Sequence, residues 1–513
     1  MDRVGSDAVP GNPRPRSVLP VRLADLAALA GAAPPASDVA VTGITHASGD
    51  VCPGDVYAAL PGARRHGAEF VPAVAAAGAV AVLTDPAGAP AAEAAGLPAI
   101  VVDDPREALG PVAAAVYGDP TAGLVVIGVT GTAGKTSTAY LVESGLRAAG
   151  HVTGLVGTVE TRLGDLVVDS VRTTPEATDL HALLAAARER GVTAVVMEVS
   201  SHALAMGRVG GVRFDVGGYT NFGQDHLDFH ADRDDYFAAK AKLFDGRCRV
   251  EILNADDPAL APLRKPATVT YSAAGSPDAT WWAADITTDG YAQRFVAHGP
   301  GEVAVPAGVA LPGRHNVANA LLAVASLVAV GVEPATAADG VAACRGVPGR
   351  LEVVDAPGPV LGVVDYAHKP DAIVAALRAL REQARDRGGR LICVIGAGGD
   401  RDTGKRPAMG AAAAEGADLV LVTDDNPRTE DPAAIRAQVR AGAVGPAEVA
   451  EVPGRRAAID EAVRRAAPGD VVAVLGKGHE RGQEVAGVIH PFDDRVELAA
   501  ALRARFDHLV GQA

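Results

Sequence analysis

The chain has 513 residues, 48% hydrophobic but only 4% aromatic, with 47 lysines and arginines against 62 aspartates and glutamates. At roughly 150 residues per domain this length makes about three domains, and the shortage of aromatics means cores of Ala, Val and Leu, which suit buried parallel strands under small-residue helices. The net charge of −15 argues against a protein that coats nucleic acid or an anionic membrane, so an anionic substrate has to be met by local cations or a metal.

Residues 1–20 are rich in Pro, Gly and Arg and lack an apolar stretch; they read as a disordered leader, with nothing that marks the chain for export. No run reaches the ~18 apolar residues that a membrane span needs. Cys52, Cys248, Cys344 and Cys393 form no CxxC pair, which supports neither a disulfide framework nor a zinc site and fits a reducing cytoplasm.

Residues 21–123 read as a first α/β domain, with a helix near Leu23–Ala30 and strands at Val80–Leu83 and Ala99–Val102. LVVIGVTG (Leu124–Gly131) opens a second domain, 124–348, as a buried strand running into a glycine-rich turn and a helix that starts near Thr136. A helix over 177–190, strands Ala194–Ser200 and Phe214–Thr220, an antiparallel appendage within 272–312 and a helix Asn316–Val330 follow. GVPGR (Gly346–Arg350) marks the next boundary. The last domain, 349–513, carries strands in VLGVVDYAH (360–368), LICVIGAGGDRD (391–402) and LVLVTDDNPR (419–428). Each ends in a polar cluster, the place where open α/β sheets bind ligands.

The turn GTAGKTS comprises Gly131, Thr132, Ala133, Gly134, Lys135, Thr136 and Ser137. Between a strand and a helix such a turn offers N–H groups to phosphate, a lysine to neutralise it and a Thr hydroxyl for Mg²⁺. Its spacing is GxxGK[ST], with an additional Gly128 upstream, in place of the common GxxxxGK[ST]. Glu198, in EVSSHAL, emerges beside the turn where an acid could hold the metal, or could be a capping or surface acid. His226, in NFGQDHLDFH, follows another strand end; a lone histidine is more often structural than a ligand. By spacing alone Lys240 and Lys242, in YFAAKAKLF, are solvated helix lysines.

Taken in order, GTAGKTS, TTPE (Thr173–Glu176), MEVSSHAL, DHLDFH, AAKAKLF, RHNVANAL (Arg314–Leu321), DYAHKPDA (Asp365–Ala372), GGDRDTGKRP (Gly398–Pro407), DNPRTEDP (Asp425–Pro432) and GKGHE (Gly476–Glu480) resemble the Mur ligase family over essentially all of the chain after residue 20. The resemblance implies an α/β fold of three domains: one for the UDP end of a nucleotide substrate, a central P-loop-type ATPase with a parallel-rich sheet, and a Rossmann-like C-terminal domain for an incoming amino acid. It implies a cytoplasmic, monomeric, ADP-forming amide ligase of peptidoglycan precursor synthesis, which joins diaminopimelate to UDP-N-acetylmuramoyl-L-alanyl-D-glutamate through an acyl phosphate.

Carried over by position, the resemblance gives ATP to Gly131–Ser137, to Asn316 and Asn319 toward adenine, and to Arg350 with Asp365 closing from the last domain. It gives Mg²⁺ to Thr136, Glu198, His226 and Lys240, the last carrying a CO₂-derived carbamate, and makes Lys135, Glu198, His226 and Lys240 catalytic. Carbamylation needs a neutral amine, hence a locally depressed pKa. The nucleotide substrate falls to Ser48, Ala63, Arg64, Arg65, Thr173, Thr174, Ser200 and Arg208, and the incoming amino acid to Arg401, Asp425, Asn426, Pro427, Arg428, Gly476 and Glu480.

Diaminopimelate ends in a carboxylate where lysine has only an ammonium, and a guanidinium fork binds a carboxylate bidentately. Arg428 supplies that fork, with Glu480 for the neighbouring ammonium; otherwise DNPR is a helix-starting turn, since Asn-Pro begins helices well. The chain departs from the family where Asp-Ser-Arg is usual and Ala47-Ser48-Gly49 stands, before a retained Pro53–Asp55 turn, and at Ala133 and Met206. The rival readings are another Mur or folylpolyglutamate-type ligase and a P-loop NTPase that joins nothing.

Overall fold

The structure is a computed structural model that describes residues 13–62, 64–168, 170–356 and 358–510. They form two compact units, one running to Tyr271 and resuming over Leu322–Gly340, the other made of Ser272–Leu321 and the chain from Val341.

The first unit opens with a four-stranded parallel sheet of Gly43–Thr45, Asp55–Ala59, Ala81–Thr84 and Ala99–Val101, in that order. The predicted first helix is Leu23–Leu29. Of the expected disordered leader, residues 1–12 lie outside the described residues. The rest is anchored: Arg14 Nη1 reaches both oxygens of Asp55 at 2.8 and 2.9 Å. The backbone N–H groups of Arg16 and Ser17 donate to Glu189 at 2.8 and 3.0 Å. Asp55 belongs to the retained Pro-Gly-Asp turn and is 2% exposed, so this part of the leader is tied by a nearly buried carboxylate.

The same unit holds a larger sheet that positions the glycine-rich turn Gly131–Ser137. Thr153–Val156, Ala194–Glu198, Val125–Thr130, Phe214–Tyr219 and Cys248–Asn254 lie side by side in that order, all parallel. Their near-continuous apolar sequences (VVIGVT, AVVME) suit strands covered on both faces. Register pairs Glu198 with Val129 and Tyr219 with Thr130. The carboxyl ends of three strands are therefore level, and Gly131 starts between Glu198 and Thr220.

The second unit contains an antiparallel meander, Trp281–Asp289, Ala292–Gly299 and Val303–Val309, inside the predicted appendage. Its main sheet orders Leu361–Asp365, Val471–Leu475, Leu391–Ile395, Leu419–Val422 and Glu448–Glu451 in parallel, with Glu352–Val353 antiparallel at the edge. The three predicted strands stop at Asp365, Ile395 and Val422, before their polar clusters. Val471–Leu475, which the sequence reading did not assign, lies between the strands ending at Asp365 and Ile395. A crossover connection places it there, parallel to both neighbours, so its polar continuation, Gly476–Glu480, joins clusters far away in sequence.

Candidate functional site

In the first unit the glycine-rich turn links strand Val125–Thr130 to helix Lys135–Ala148. Gly131 has φ +139° and a Cβ there would lie 1.9 Å from Thr220 Oγ1; Gly134 has φ +86°. Both positions need glycine. Lys135 Nζ folds back onto Gly131 O at 2.8 Å and Thr132 O at 3.1 Å, and Lys240 Nζ donates to the same Gly131 O at 2.8 Å. Lys240 is 1% exposed and its ammonium lies 4.8 Å from the centre of the Tyr236 ring. The expectation of a solvated lysine is therefore corrected for Lys240, on helix Arg233–Ala241, because that helix packs this face onto the turn; Lys242 is exposed.

Glu198 is 1% exposed and fully used. Its Oε1 accepts from Thr158 N at 2.8 Å, and Oε2 accepts from Thr136 Oγ1 at 3.0 Å and Thr158 Oγ1 at 3.2 Å. Burial excludes a surface acid, and the N–H from which it accepts, that of Thr158, begins no helix. Thr158 reaches on to Thr173 Oγ1 at 3.0 Å, while Thr174 Oγ1 donates to Glu198 O at 2.8 Å and accepts from Ser200 N at 3.1 Å. Arg208 pairs with Glu176 at 2.9 Å and donates to Thr174 O at 3.3 Å; burial is the largest influence on its guanidinium and lowers its pKa. Thr136, Glu198, Thr173, Thr174, Ser200 and Arg208 are thus joined in one network.

His226 has φ +53° and its Nε2 lies 3.0 Å from Asp225 Oδ2. Its ring meets His202 at 4.6 Å and Tyr236 at 6.2 Å between centres. Among the described residues no group of three or more His, Cys, Asp or Glu side chains is arranged to hold a metal. The oxygens of Thr136 and Glu198 remain a hard donor pair at the end of the phosphate turn, of the kind Mg²⁺ takes.

Ala63 lies outside the described residues. Ser48 begins a short turn, Ser48–Asp50; Arg64 is exposed, and the fork of Arg65 is taken by Glu69 at 2.7 Å. Thr132 Oγ1, within the expected turn, lies 3.1 Å from Tyr236 OH; sequence reasoning missed Asn221, whose amide brackets Ala133 at 3.0 and 3.1 Å. Asn221 heads the same run that contains His226.

In the second unit Asn316 Nδ2 donates to Pro312 O at 2.8 Å and Asn319 Nδ2 to Asn316 Oδ1 at 3.1 Å. The carboxylate of Asp365 accepts from Leu351 N and Ala367 N, both at 2.7 Å. Burial raises its pKa, opposed chiefly by the Arg350 guanidinium. Arg350 also lies over Tyr366, 4.6 Å from the ring centre.

Asp425, Asn426, Pro427, Arg428, Gly476 and Glu480 gather at the carboxyl ends of the sheet. Asn426 Nδ2 donates to Glu480 Oε2 at 2.9 Å, and a Cβ on Gly476 would lie 2.6 Å from Asp425 Oδ2. Arg428, in the left-handed region with φ +53°, gives Nε to Glu484 Oε2 at 3.1 Å and Nη1 to Gly399 O at 2.6 Å. Each paired N–H edge of its fork thus already shares a donor with a protein acceptor. The alternative of a helix-starting turn at DNPR is not what forms: helix Pro432–Gly442 is capped by Asp431. Arg401 is exposed on the neighbouring loop.

Comparison with known proteins settles the family. Residues 40–117 match the description "Mur ligase family, catalytic domain", 129–327 "Mur ligase middle domain" and 349–478 "Mur ligase, glutamate ligase domain". A protein of Streptomyces avermitilis is 54% identical over 503 residues, covering 96% of this chain and 99% of that one. This chain belongs to the Mur ligase family. The Streptomyces relative is named a UDP-N-acetylmuramoyl-L-alanyl-D-glutamate–2,6-diaminopimelate ligase, as is one of Corynebacterium glutamicum, 49% identical and covering 88% of this Mur ligase and 90% of its own length. A solved structure described as an enzyme of that same name superposes with a TM-score of 0.65 at 31% identity, covering 91% of this chain and 95% of that one. A Thermotoga maritima MurF ligase structure with ADP has a TM-score of 0.60 at 18% identity, covering 91% and 99%, and supports the fold alone.

Proposed function

We propose that this Mur ligase joins 2,6-diaminopimelate to UDP-N-acetylmuramoyl-L-alanyl-D-glutamate, consuming ATP and forming ADP and phosphate, as a cytoplasmic monomer organised in the domains 21–123, 124–348 and 349–513. The observation that carries this reading is an arginine held at the DNPR turn of a chain that also carries a complete phosphate turn, in a protein 54% identical to a named diaminopimelate ligase.

In this reading a carboxylate oxygen of the D-glutamate residue attacks the γ-phosphorus of ATP and ADP departs. The amine of diaminopimelate then attacks the acyl carbon of the resulting acyl phosphate; phosphate departs and the amine loses a proton. The difficulty of the first step is repulsion between anions, so the chain's contribution is positioning and charge cancellation. Gly131–Ser137 offer N–H groups to the triphosphate, and Lys135 moves from Gly131 O onto the incoming oxygens.

The Thr136 hydroxyl and Glu198 carboxylate suit Mg²⁺, and His226 would reach it from its own loop. Lys240 bears only donors, so it fits a metal only as a carbamate, which would turn a buried cation into an oxygen ligand. Mg²⁺, when bound, supplies neutralising charge to the phosphates. Thr173, Thr174, Ser200 and Arg208 would hold the acidic end of the nucleotide substrate, and Ser48 with Ala63–Arg65 its uridine end. Asn316 and Asn319 would serve adenine, with Arg350 and Asp365 toward the nucleotide. Asp425–Arg428, Arg401, Gly476 and Glu480 would take the amino acid.

The test is phosphate release from ATP with the UDP-muramoyl dipeptide and diaminopimelate, lysine or D-Ala-D-Ala. Release with diaminopimelate alone supports the reading, and Arg428→Met should raise the KM for that amine by about 10- to 100-fold, the loss of one charge-assisted carboxylate contact. Equal use of lysine refutes the assignment of Arg428. Steady ATP hydrolysis without any acceptor supports the non-ligating alternative.

A further inference from the structure

The turn after strand Val471–Leu475 buries a lysine that the reaction described above does not use. Lys477 has no exposed surface. Its ammonium donates to Asn426 Oδ1 at 2.9 Å and Glu480 Oε2 at 3.0 Å, and lies 3.8 Å from Asp425 Oδ1. All three partners belong to the group proposed for the incoming amino acid.

The geometry acts through the amide of Asn426. Its Oδ1 accepts from Lys477 and also from Glu484 N at 3.0 Å, so both lone pairs are occupied. This fixes which way the amide faces and aims Nδ2 at Glu480 Oε2, 2.9 Å away. The same carboxylate oxygen receives Lys477, so Glu480 is held through Oε2, and no hydrogen bond among the described residues engages its Oε1. The backbone is shaped for this contact: Gly476 and Gly478 on either side of the lysine have φ +118° and +54°.

Stability alone is a weak reason for such a residue. A buried ion pair is commonly replaced by apolar side chains of similar volume at little cost, whereas removing one partner leaves the other charge stranded. We infer that Lys477 is a positioning residue for the incoming amino acid: a buried counter-cation that sets the Asn426 amide and the Glu480 carboxylate for an ammonium group without touching it. This rests on the reading that Asp425–Arg428 and Glu480 bind the amine substrate.

The experiment compares the full-length wild type with Lys477→Met, Glu480→Gln and the double variant Lys477→Met/Glu480→Gln. Phosphate release is measured while diaminopimelate, ATP and the UDP-muramoyl dipeptide are varied in turn. Lys477→Met should raise the KM for diaminopimelate about 10- to 100-fold, the cost of loosening an oriented contact, with the other two KM values within about threefold and kcat at saturating amine retained. Because Lys477 acts through Glu480, the double variant should resemble the worse single variant. It contains no stranded carboxylate at 480, so it reports even if Lys477→Met does not fold.

An unchanged amine KM, an equal rise in all three KM values, or single effects that multiply in the double variant would overturn the inference. The wild type decides the substrate separately: if it uses another amine, the same variants are measured with that amine. The identity of the substrate and the role of Lys477 are then answered by different data.

Discussion

Replacing Glu198 by Gln tests whether its charge, and not merely its shape, matters at the phosphate turn. Oε1 faces the Thr158 N–H at 2.8 Å, so the amide nitrogen cannot stand there without setting two donors against each other. It must take the place of Oε2, where the hydroxyls of Thr136 and Thr158, at 3.0 and 3.2 Å, can rotate to accept. The fold is retained, with three charge-assisted bonds made neutral. At about 1 kcal/mol each, the loss of stability is about 3 kcal/mol at most. The oxygen facing the Thr136 hydroxyl, however, becomes a nitrogen with no lone pair for a cation. In phosphate-release assays titrated with Mg²⁺, the half-maximal concentration should rise by about 100-fold, equivalent to about 2.7 kcal/mol, while urea unfolding shows a loss of no more than about 3 kcal/mol and leaves the variant folded under the assay conditions. A variant with wild-type Mg²⁺ dependence and rate would refute the reasoning and remove Glu198 from the metal.

Two further perturbations probe the scaffold. Gly131→Ala combines φ +139° with a Cβ placed 1.9 Å from Thr220 Oγ1. It should cost about 2 kcal/mol or more in urea unfolding and abolish most ATP-dependent phosphate release; normal activity would show that the turn does not hold the position described. The Glu430 carboxyl is held down to about 2 from an ordinary 4.5 by hydrogen bonds from the Arg406 guanidinium and then from Asp400 N. Below about 4.5 the unfolded chain takes up a proton that the native chain refuses, so this contribution to stability is present above that pH and is lost as the pH falls toward 2. Urea midpoints followed from pH 6 downward should therefore decline less steeply for Glu430→Gln than for the wild type, and parallel profiles would refute the assignment.

Much of the site was legible because its motifs are local. Gly131–Ser137 announces its own geometry, since a strand, glycines at positive φ and a helix are contiguous in the chain. Glu198 was placed beside the turn on strand order alone, and its contact with Thr136 at 3.0 Å agrees. Other residues carried no such signal. Lys240 and Lys242 look alike as helix lysines, yet one is 1% exposed and donates to Gly131 O while the other faces solvent. Helical spacing describes one helix; which stripe is covered depends on what packs against it. Lys477 lies within GKGHE beside Glu480, but its partner Asn426, 51 residues away, becomes a neighbour only because strand Val471–Leu475 inserts into the sheet.

The amino-acid sequence by itself determined the α/β class, the glycine-rich turn between strand and helix and the order of polar clusters, all of which depend on residues close together in the chain. The tertiary structure alone decided which charges are buried and which partners they have: Arg14 on Asp55, Arg428 between Glu484 and Gly399, Lys240 on the phosphate turn. The physical reason is that desolvation and ion pairing are properties of the assembled surroundings. A lysine in a sequence has no environment until distant strands and helices supply one.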